Sequence, residues 1–250
     1  MKEYNLQMFA FKATESIELC KEFINGHEKF LELSKVGNIS SANKNWILND
    51  SVYVIVVYDN TSGKMVGGIR LDMKTTKVKL PAEEAILELD SNGKNYFDRL
   101  YKNFDYTGEM CALWIDEFYR NIGLGLLLLI SNMSLAKIIG SQLLIFLCSE
   151  DTLKMFLNLG CIIEKRLGRN GAFCYPRQDM TAYFLHSTDL LCFSKARTDL
   201  RKRILHRSAI PKETVIEEGK NSTLRVTYEF NLAKNKKYLE KKQISCSIID

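Results

Sequence analysis

A chain of 250 residues with 46% hydrophobic and 26% charged residues can bury a full core and has a globular composition, which excludes disorder throughout. The formal net charge is +5, and its excess lies in residues 195–250, which hold 14 Lys and Arg and 7 Asp and Glu. The longest apolar run, residues 122–130, is shorter than the roughly 20 residues of a transmembrane helix, and the N-terminus lacks a signal-peptide core. We therefore expect a cytoplasmic protein without a membrane segment.

The seven cysteines and three histidines are scattered along the chain. No C-x-x-C pair occurs, which favours reduced and mostly buried thiols over disulfides or a zinc site. His27, His186 and His206 form no ligand cluster in sequence. The sequence therefore predicts no metal.

The chain begins with a predicted strand and a predicted helix. Residues 5–12 alternate in the manner of a strand. Thr14 or Ser16 is placed to cap a helix over residues 17–33. The apolar side of that helix carries Ile17, Cys20, Phe23, Ile24 and Phe30.

A β-hairpin is predicted next. Residues 51–58 and 64–72 are two runs rich in β-branched and other apolar residues. The loop between them is short, polar and ends at Gly63. Glycine at the end of such a loop favours a tight turn between antiparallel strands.

A long connection, residues 73–107, separates the hairpin from the next strand. Pro81 stands at a helix start, and Glu83 and Glu84 complement the positive end of the helix dipole. Residues 90–93 have the composition of a turn. The sequence therefore predicts one helix and one turn in this connection.

The most informative stretch is a strand, a glycine-containing turn and a helix in direct succession. Residues 109–116 are apolar or small at nearly every position, as in a strand buried on both faces. The pattern Arg120-x-x-Gly123-x-Gly125 follows. An apolar segment without proline then runs to Gly140, a natural helix end.

This arrangement is suited to binding phosphate groups. The first N–H groups of a helix lack internal partners and carry the positive end of the helix dipole, and a glycine turn lets phosphate oxygens approach them. The spacing is neither that of a nucleotide triphosphatase loop, G-x-x-x-x-G-K-[ST], nor that of a dinucleotide fold, G-x-G-x-x-G. The turn therefore predicts a pyrophosphate site of another kind.

The segments that follow continue the alternation of strands and helices. They are a strand over 141–149, a short helix over 150–160 ending at Gly160, a strand from 161 to 166, a turn at 168–171 and a strand over 180–186.

The pattern Arg120-x-x-Gly123-x-Gly125 directly after a central strand resembles the acyl-CoA loop of the GNAT superfamily of N-acetyltransferases. The order of elements from residue 5 to residue 190 resembles that superfamily too. The resemblance implies an α/β (α+β) fold with a mixed, mostly antiparallel central sheet flanked by helices. It also implies a GNAT-like acyltransferase domain over residues 1–190, with residues 191–250 as a basic C-terminal α/β extension.

The resemblance further implies acetyl-CoA or another acyl-CoA as co-substrate, with no metal. The main-chain N–H groups around residues 113–115 would contact the thioester carbonyl, and the turn would hold the pyrophosphate. The residues expected to contact CoA are Leu113, Trp114, Ile115, Arg120, Asn121, Ile122, Gly123, Leu124, Gly125, Leu126, Ser149 and Phe156.

Glu109 is the best candidate for a catalytic base. It stands where a glutamate of histone-type GNAT enzymes acts as general base, usually through water, although an exposed glutamate at a strand edge is the alternative. Phe156 stands where many GNAT enzymes have a tyrosine that acts as general acid, and phenylalanine cannot donate a proton. Ser149 could supply the proton or cap the following helix. Cys111 and Cys148 are expected to be core residues.

Three functions remain open on the sequence alone. The first is an N-acyltransferase that transfers an acyl group, with acetyl as first candidate, to an amine of a small molecule or protein. The second is a long-chain acyl synthase of the acyl-homoserine-lactone or N-acyl amino acid type, suggested by Leu80-Pro-x-Glu83. The third is a catalytically silent fold that binds acyl-CoA, suggested by Phe156. Release of the CoA thiol in the presence of amines distinguishes the N-acyltransferase from the silent acyl-CoA-binding fold.

The C-terminal extension contains a predicted basic helix over 195–207 and a predicted strand over 222–230. We expect its apolar residues to pack on the core or on a second copy, so a homodimer is an open alternative. These residues are Leu200, Ile204, Leu224, Val226 and Tyr228. Residues 234–242 are rich in lysine and expected in solvent. Binding of nucleic-acid phosphates by this basic extension is a further, weaker alternative, because no motif indicates nucleic-acid binding.

Overall fold

The protein is described by a computed structural model that covers residues 2–37, 39–219, 222–230 and 232. Its strands are β1 (Lys2–Lys12), β2 (Val52–Asp59), β3 (Lys64–Met73), β4 (Thr107–Ile115), β5 (Leu143–Ser149), β6 (Ile162–Ile163), β7 (Ala172–Cys174), β8 (Thr181–Ser187), β9 (Lys212–Glu218) and β10 (Ser222–Glu229). Its α-helices are α1 (Ile17–Leu33), α2 (Pro81–Leu89), α3 (Gly93–Asn103), α4 (Leu124–Ile139), α5 (Glu150–Asn158) and α6 (Thr198–Ala209).

The strands form one sheet. Its order is β6-β8-β5-β4-β3-β2-β1-β10-β9, and β7 pairs with β8. The pairs β4–β5 and β1–β10 are parallel, and the other pairs along this order are antiparallel. The predicted mixed, mostly antiparallel sheet flanked by helices is confirmed.

Helices cover both faces of the sheet. Alternate residues of β2 separate the two faces: Ile55 and Val57 belong to the core cluster that contains α4 and α6, whereas Val54 and Val56 pack with α1. The helices α2 and α3 cover β5 and β8 on the same face as α1. The chain thus forms three layers, with the sheet between two sets of helices.

The helix α4 is apolar on nearly all sides because it is covered on two sides. One side packs on the sheet, and α6 covers the other. Its few polar residues find partners inside the core. Ser134 Oγ donates to the carbonyl of Ile130 at 2.8 Å and to that of Ile204 in α6 at 3.1 Å, and Asn132 Nδ2 donates to the carbonyl of Arg70 in β3 at 3.0 Å.

The described part of the C-terminal extension continues the sheet. After β8, the chain crosses over α4 as α6 and then adds β9 and β10 beside β1. All five apolar residues expected to pack are at most 2% exposed and belong to the main core cluster. The lysine-rich residues 234–242 lie outside the described residues.

Three elements, α3, β7 and β9, were not predicted, and one strand was predicted too long. The sequence predicted only a turn at residues 90–93, but α3 begins at Gly93 and buries Tyr96 and Phe97 against Phe184 of β8. The edge strand β9 was missed because it alternates between exposed and half-buried positions without a strong apolar pattern. The strand predicted over 161–166 is only Ile162–Ile163.

The free cysteines behave mostly as core residues. Cys20, Cys111, Cys148 and Cys161 are buried free thiols, and Cys174 is an exposed one. Burial raises the pKa of Cys20 to about 11 and that of Cys148 to about 12, so these thiols stay protonated at neutral pH. Cys246 lies outside the described residues.

His27 in α1 should make stability depend on pH. Its side chain is 5% exposed, and burial, followed by the positive charge of Arg70, lowers its pKa from 6.5 to about 4. The unfolded chain therefore binds a proton between pH 6.5 and pH 4 that the folded chain does not, so the stability present above pH 6.5 is lost as pH falls. This linkage removes about 2 kcal/mol between pH 7 and pH 5.

The prediction can be tested by urea unfolding of the wild type and of His27→Leu at both pH values. The wild type should lose about 2 kcal/mol more than the variant between pH 7 and pH 5. Equal losses in the two proteins would show that His27 is not responsible.

Candidate functional site

The strands β4 and β5 separate after a short paired segment. They pair from Thr107 with Leu143 to Glu109 with Ile145, and the described residues show no pair between them beyond this point. Both strands continue, β4 to Ile115 and β5 to Ser149. The later part of β4 therefore has an open side toward β5, whereas its other side stays paired with β3.

A β-bulge lies in this open part of β4. Cys111 pairs with Arg70 and Trp114 pairs with Gly68, so Ala112 and Leu113 together oppose one residue of β3. Ala112 has a φ of 51°, which is unusual for a residue with a side chain. Nothing in the sequence indicated this bulge.

The N–H groups of the predicted carbonyl donors, residues 113–115, differ in direction. The N–H of Asp116 donates to the carbonyl of Val66 in β3 at 2.9 Å. Because N–H groups alternate in direction along a regular strand, that of Ile115, next to Asp116, points to the open side. The N–H of Trp114 instead points to β3, and its ring packs so closely on α1 that a Cβ at Gly26 would lie 2.2 Å from it.

The predicted cradle consists of the glycine turn and the start of α4. Asn121 and Gly123 have φ values of 63° and 93°, and α4 begins at Leu124. The first helical hydrogen bond runs from the N–H of Leu127 to the carbonyl of Gly123 at 3.2 Å, so the N–H groups of residues 124–126 have no partner within the helix. A Cβ at Gly123 would meet nothing within 4 Å, which leaves space for a phosphate group.

The side chain of Arg120 is turned away from this cradle. Its guanidinium lies 5.2 Å from the ring centroid of Phe30 in α1, and its Nη2 is buried without a hydrogen-bond partner among the described residues. With Trp114 and Asp116 it lines a cavity of about 290 Å³ between α1 and the end of β4. The predicted contact of Arg120 with CoA stays a prediction.

Glu109 is buried under the N-terminal turn of α2. It is 3% exposed and accepts a hydrogen bond at 2.7 Å from the N–H of Ala82. Burial raises its pKa well above the ordinary value, the bond from Ala82 opposes this, and the nearby charge of Asp72 adds to it. The alternative of an exposed strand-edge glutamate is wrong, and a raised pKa is typical of a general base.

A buried ion pair beside Glu109 was missed. Asp72 is the pairing partner of Glu109 across β3 and β4, and Arg70 donates to both of its carboxylate oxygens at 3.1 and 2.9 Å. Arg70 also donates to Cys111 Sγ at 3.3 Å and lies 4.5 Å from the ring of Trp46. The available signal was the placement of two charged residues inside an otherwise apolar strand. The pair lines a cavity of about 100 Å³ with residues of α2.

Ser149 is not near Glu109. Ser149 is exposed and occupies the N-cap position of α5. Its Oγ contacts Thr152 Oγ1 at 3.2 Å and accepts no hydrogen bond from a backbone N–H of the helix. It stands four residues beyond Ile145, the pairing partner of Glu109, which places it about 13 Å further along β5. The structure therefore does not bring the two predicted catalytic residues together.

Phe156 is a core residue. It is 6% exposed and stacks on Phe146 of β5 with ring centroids 4.4 Å apart.

Replacing Phe156 by alanine should destabilise the fold by about 3–5 kcal/mol, because the shortened side chain would leave a cavity in the main core. Phe118→Ala is the control, since Phe118 is 74% exposed. Urea unfolding measures both, and an equally small effect of the two substitutions would contradict the packing role.

The sheet order, the separation of β4 from β5 and the glycine turn at the start of α4 define a GNAT-like fold. The predicted resemblance to the GNAT superfamily is thus confirmed at the level of the fold. No protein-family model matches the sequence, and no curated protein sequence matches it significantly.

Solved structures of known proteins share this fold. FeeM, an N-acyl amino acid synthase from uncultured soil microbes, is 10% identical with a TM-score of 0.55 over 73% of this chain and 90% of its own. MesI, a CoA-dependent acyl-homoserine lactone synthase, is 13% identical with a TM-score of 0.51 over 81% and 95%. Escherichia coli ElaA is 9% identical with a TM-score of 0.51 over 72% and 98%. At such identities the similarity shows the fold alone.

Two features are absent from the described residues. They contain no group of three or more His, Cys, Asp or Glu side chains placed to hold a metal ion. Their helices include none that combines the length and the apolar character needed to cross a membrane.

Proposed function

We propose that the chain is an acyl-CoA-dependent N-acyltransferase. The observation that carries this proposal is the open cradle at Gly123, placed between the free side of β4 and the start of α4. Unpaired N–H groups at a helix start favour a pyrophosphate, and the free N–H groups of β4 favour a carbonyl oxygen. The two features lie next to each other in the chain, as one extended thioester of CoA requires.

In this reaction Glu109 takes a proton from the acceptor amine, either directly or through water. The amine nitrogen then bonds to the thioester carbon, whose oxygen accepts hydrogen bonds from the N–H groups of Leu113 and Ile115. The carbon–sulfur bond breaks, and the CoA thiolate takes up a proton. Phe156 cannot supply that proton, so it comes from water, Ser149 or the zwitterionic intermediate.

Acetyl is our first candidate for the acyl group, and a small molecule or a protein supplies the amine. A longer acyl chain is the second candidate. A synthase of the N-acyl amino acid or acyl-homoserine-lactone type would use it, and this candidate is supported by the structural similarity to FeeM and MesI and by the connection between β3 and β4, which forms α2 and α3 over Glu109 and β5. A silent acyl-CoA-binding protein is the third, since Phe156 replaces the usual acid.

The test uses the purified full chain. Calorimetry with acetyl-CoA, octanoyl-CoA and free CoA measures binding, and thiol release against a panel of amines measures turnover. Binding with thiol release supports the proposal, and the preferred thioester identifies the acyl length. Binding without release from any amine would favour the silent alternative, and no binding of any of the three would refute the proposal.

A further inference from the structure

The end of the β9–β10 hairpin lies directly on the phosphate turn. Ser222 Oγ donates to the carbonyl oxygen of Ile122 at 3.5 Å, and a Cβ at Gly219 would lie 2.5 Å from the same oxygen. The N–H of Gly219 donates to the carbonyl of Ser222 at 2.8 Å, which closes the hairpin end. Ile122 is the residue immediately before Gly123, so the C-terminal extension touches the centre of the turn.

This contact determines where the next N–H group points. In a trans peptide the carbonyl of one residue and the N–H of the next point in opposite directions. A carbonyl of Ile122 that faces the extension therefore directs the N–H of Gly123 away from it, and a Cβ at Gly123 would meet nothing within 4 Å. This N–H group directly precedes those of residues 124–126 at the start of α4.

Contacts on both sides hold the turn in its left-handed conformation. Asn121 and Gly123 both adopt positive φ values, which glycine adopts at little cost and asparagine more readily than other residues with a Cβ. The side chain of Ile122 packs on the main core from one side, and the hairpin end closes the other. The hairpin is itself well anchored, since Ser222 pairs with Lys2 of β1 and Leu224 and Val226 are buried.

We propose that the C-terminal extension is a positioning element for the phosphate cradle. Gly219 and Ser222 hold the carbonyl of Ile122 in the orientation that presents the N–H of Gly123 to an acyl-CoA pyrophosphate. The role in binding rests on the proposed function, whereas the effect on the turn does not. Residue 219 must be glycine because a larger residue would displace the Ile122 carbonyl.

The test compares Gly219→Val and Ser222→Ala with the control Gly37→Val, since a Cβ at Gly37 would meet nothing within 4 Å. Gly219→Val should raise the Kd and KM for acetyl-CoA at least tenfold, with kcat at saturating acetyl-CoA within twofold of the wild type. Ser222→Ala, which adds no atoms, should raise Kd two- to threefold. The control should match the wild type.

Hydrogen exchange of residues 120–126 without ligand is the second readout. It should be faster in both variants and unchanged in the control. If exchange and Kd are unchanged in Ser222→Ala and in folded Gly219→Val, the proposal is overturned. If the wild type binds no acyl-CoA but exchange in the turn still quickens, the proposed function fails while the positioning of the turn stands. If Gly219→Val does not fold, the exchange and affinity of Ser222→Ala decide.

Discussion

Glu109→Gln is expected to lower turnover by about 10²–10⁴-fold, the usual contribution of a general base. Glutamine can still accept the hydrogen bond that Ala82 donates to the Glu109 carboxylate at 2.7 Å, so the fold should be retained. The affinity for acyl-CoA should change little, because the cradle lies at the other end of β4. Steady-state kinetics with a productive amine and calorimetry with acetyl-CoA measure the two quantities.

The pH dependence should separate a base from a structural residue. Because burial raises the pKa of Glu109 well above its ordinary value, the wild-type rate should fall as pH drops through this raised pKa. The residual rate of Glu109→Gln should lack this step. Glu88→Gln on the exposed side of α2 is the matched control and should behave as the wild type. A wild-type rate in Glu109→Gln at all pH values would make Glu109 structural, and Glu83 and Glu84 would be tested next.

The stability of the same variant gives an independent check. A carboxyl group whose pKa is raised by folding contributes stability below its unfolded pKa, and this stability is lost as pH rises through the folded pKa. Glutamine cannot ionise, so Glu109→Gln should be as stable as the wild type or more stable at alkaline pH. A loss of turnover accompanied by unfolding would therefore contradict this account of the site.

Gly123→Val is expected to lower the affinity for acyl-CoA about 100-fold or more, since it would remove two or more hydrogen bonds to a charged group. Gly123 has a φ of 93°, which a β-branched residue rarely adopts. The Cβ of a valine at this position would occupy the space left for a phosphate. Calorimetry with acetyl-CoA measures the loss.

Gly63→Val is the matched control for this substitution. Gly63 also has a positive φ, 66°, and open space around its Cβ, but it lies in the β2–β3 turn. Both variants should therefore lose similar stability, and only Gly123→Val should lose affinity. An affinity within twofold of the wild type in folded Gly123→Val would show that the pyrophosphate binds elsewhere.

Local features of the fold were predictable from the sequence because each has a short-range physical cause. The helix predicted over residues 17–33 is observed as Ile17–Leu33, and the Oγ of Ser16 caps it by accepting a hydrogen bond from the N–H of Leu19 at 3.3 Å. Gly140 ends α4 with a φ of 82°. The glycine turn and the start of α4 were predicted in the same way, since they depend on glycines and on unpaired N–H groups close in sequence.

Features that join distant segments were not predictable. The bulge at Ala112 has no glycine to mark it, and α3 has a mostly polar sequence whose few aromatic residues acquire a partner only when β8 lies beneath them. The sequence shows Arg70 and Asp72 as two charged residues in a predicted strand. It does not show that their ion pair is buried under Trp46 and beside Cys111.

The sequence by itself determined the order of most elements, the GNAT-like fold and the position of the glycine turn at the start of α4, because hydrophobic periodicity, caps and turn residues act over a few positions of the chain. Only the tertiary structure decided the environment of Glu109, whose partner Ala82 is 27 residues away, and the contact of Ser222 with Ile122, which are 100 residues apart. Burial and hydrogen bonding at such distances depend on which faces of the sheet the helices cover and on which edge the last strands join. The packing of the whole chain determines both of these arrangements.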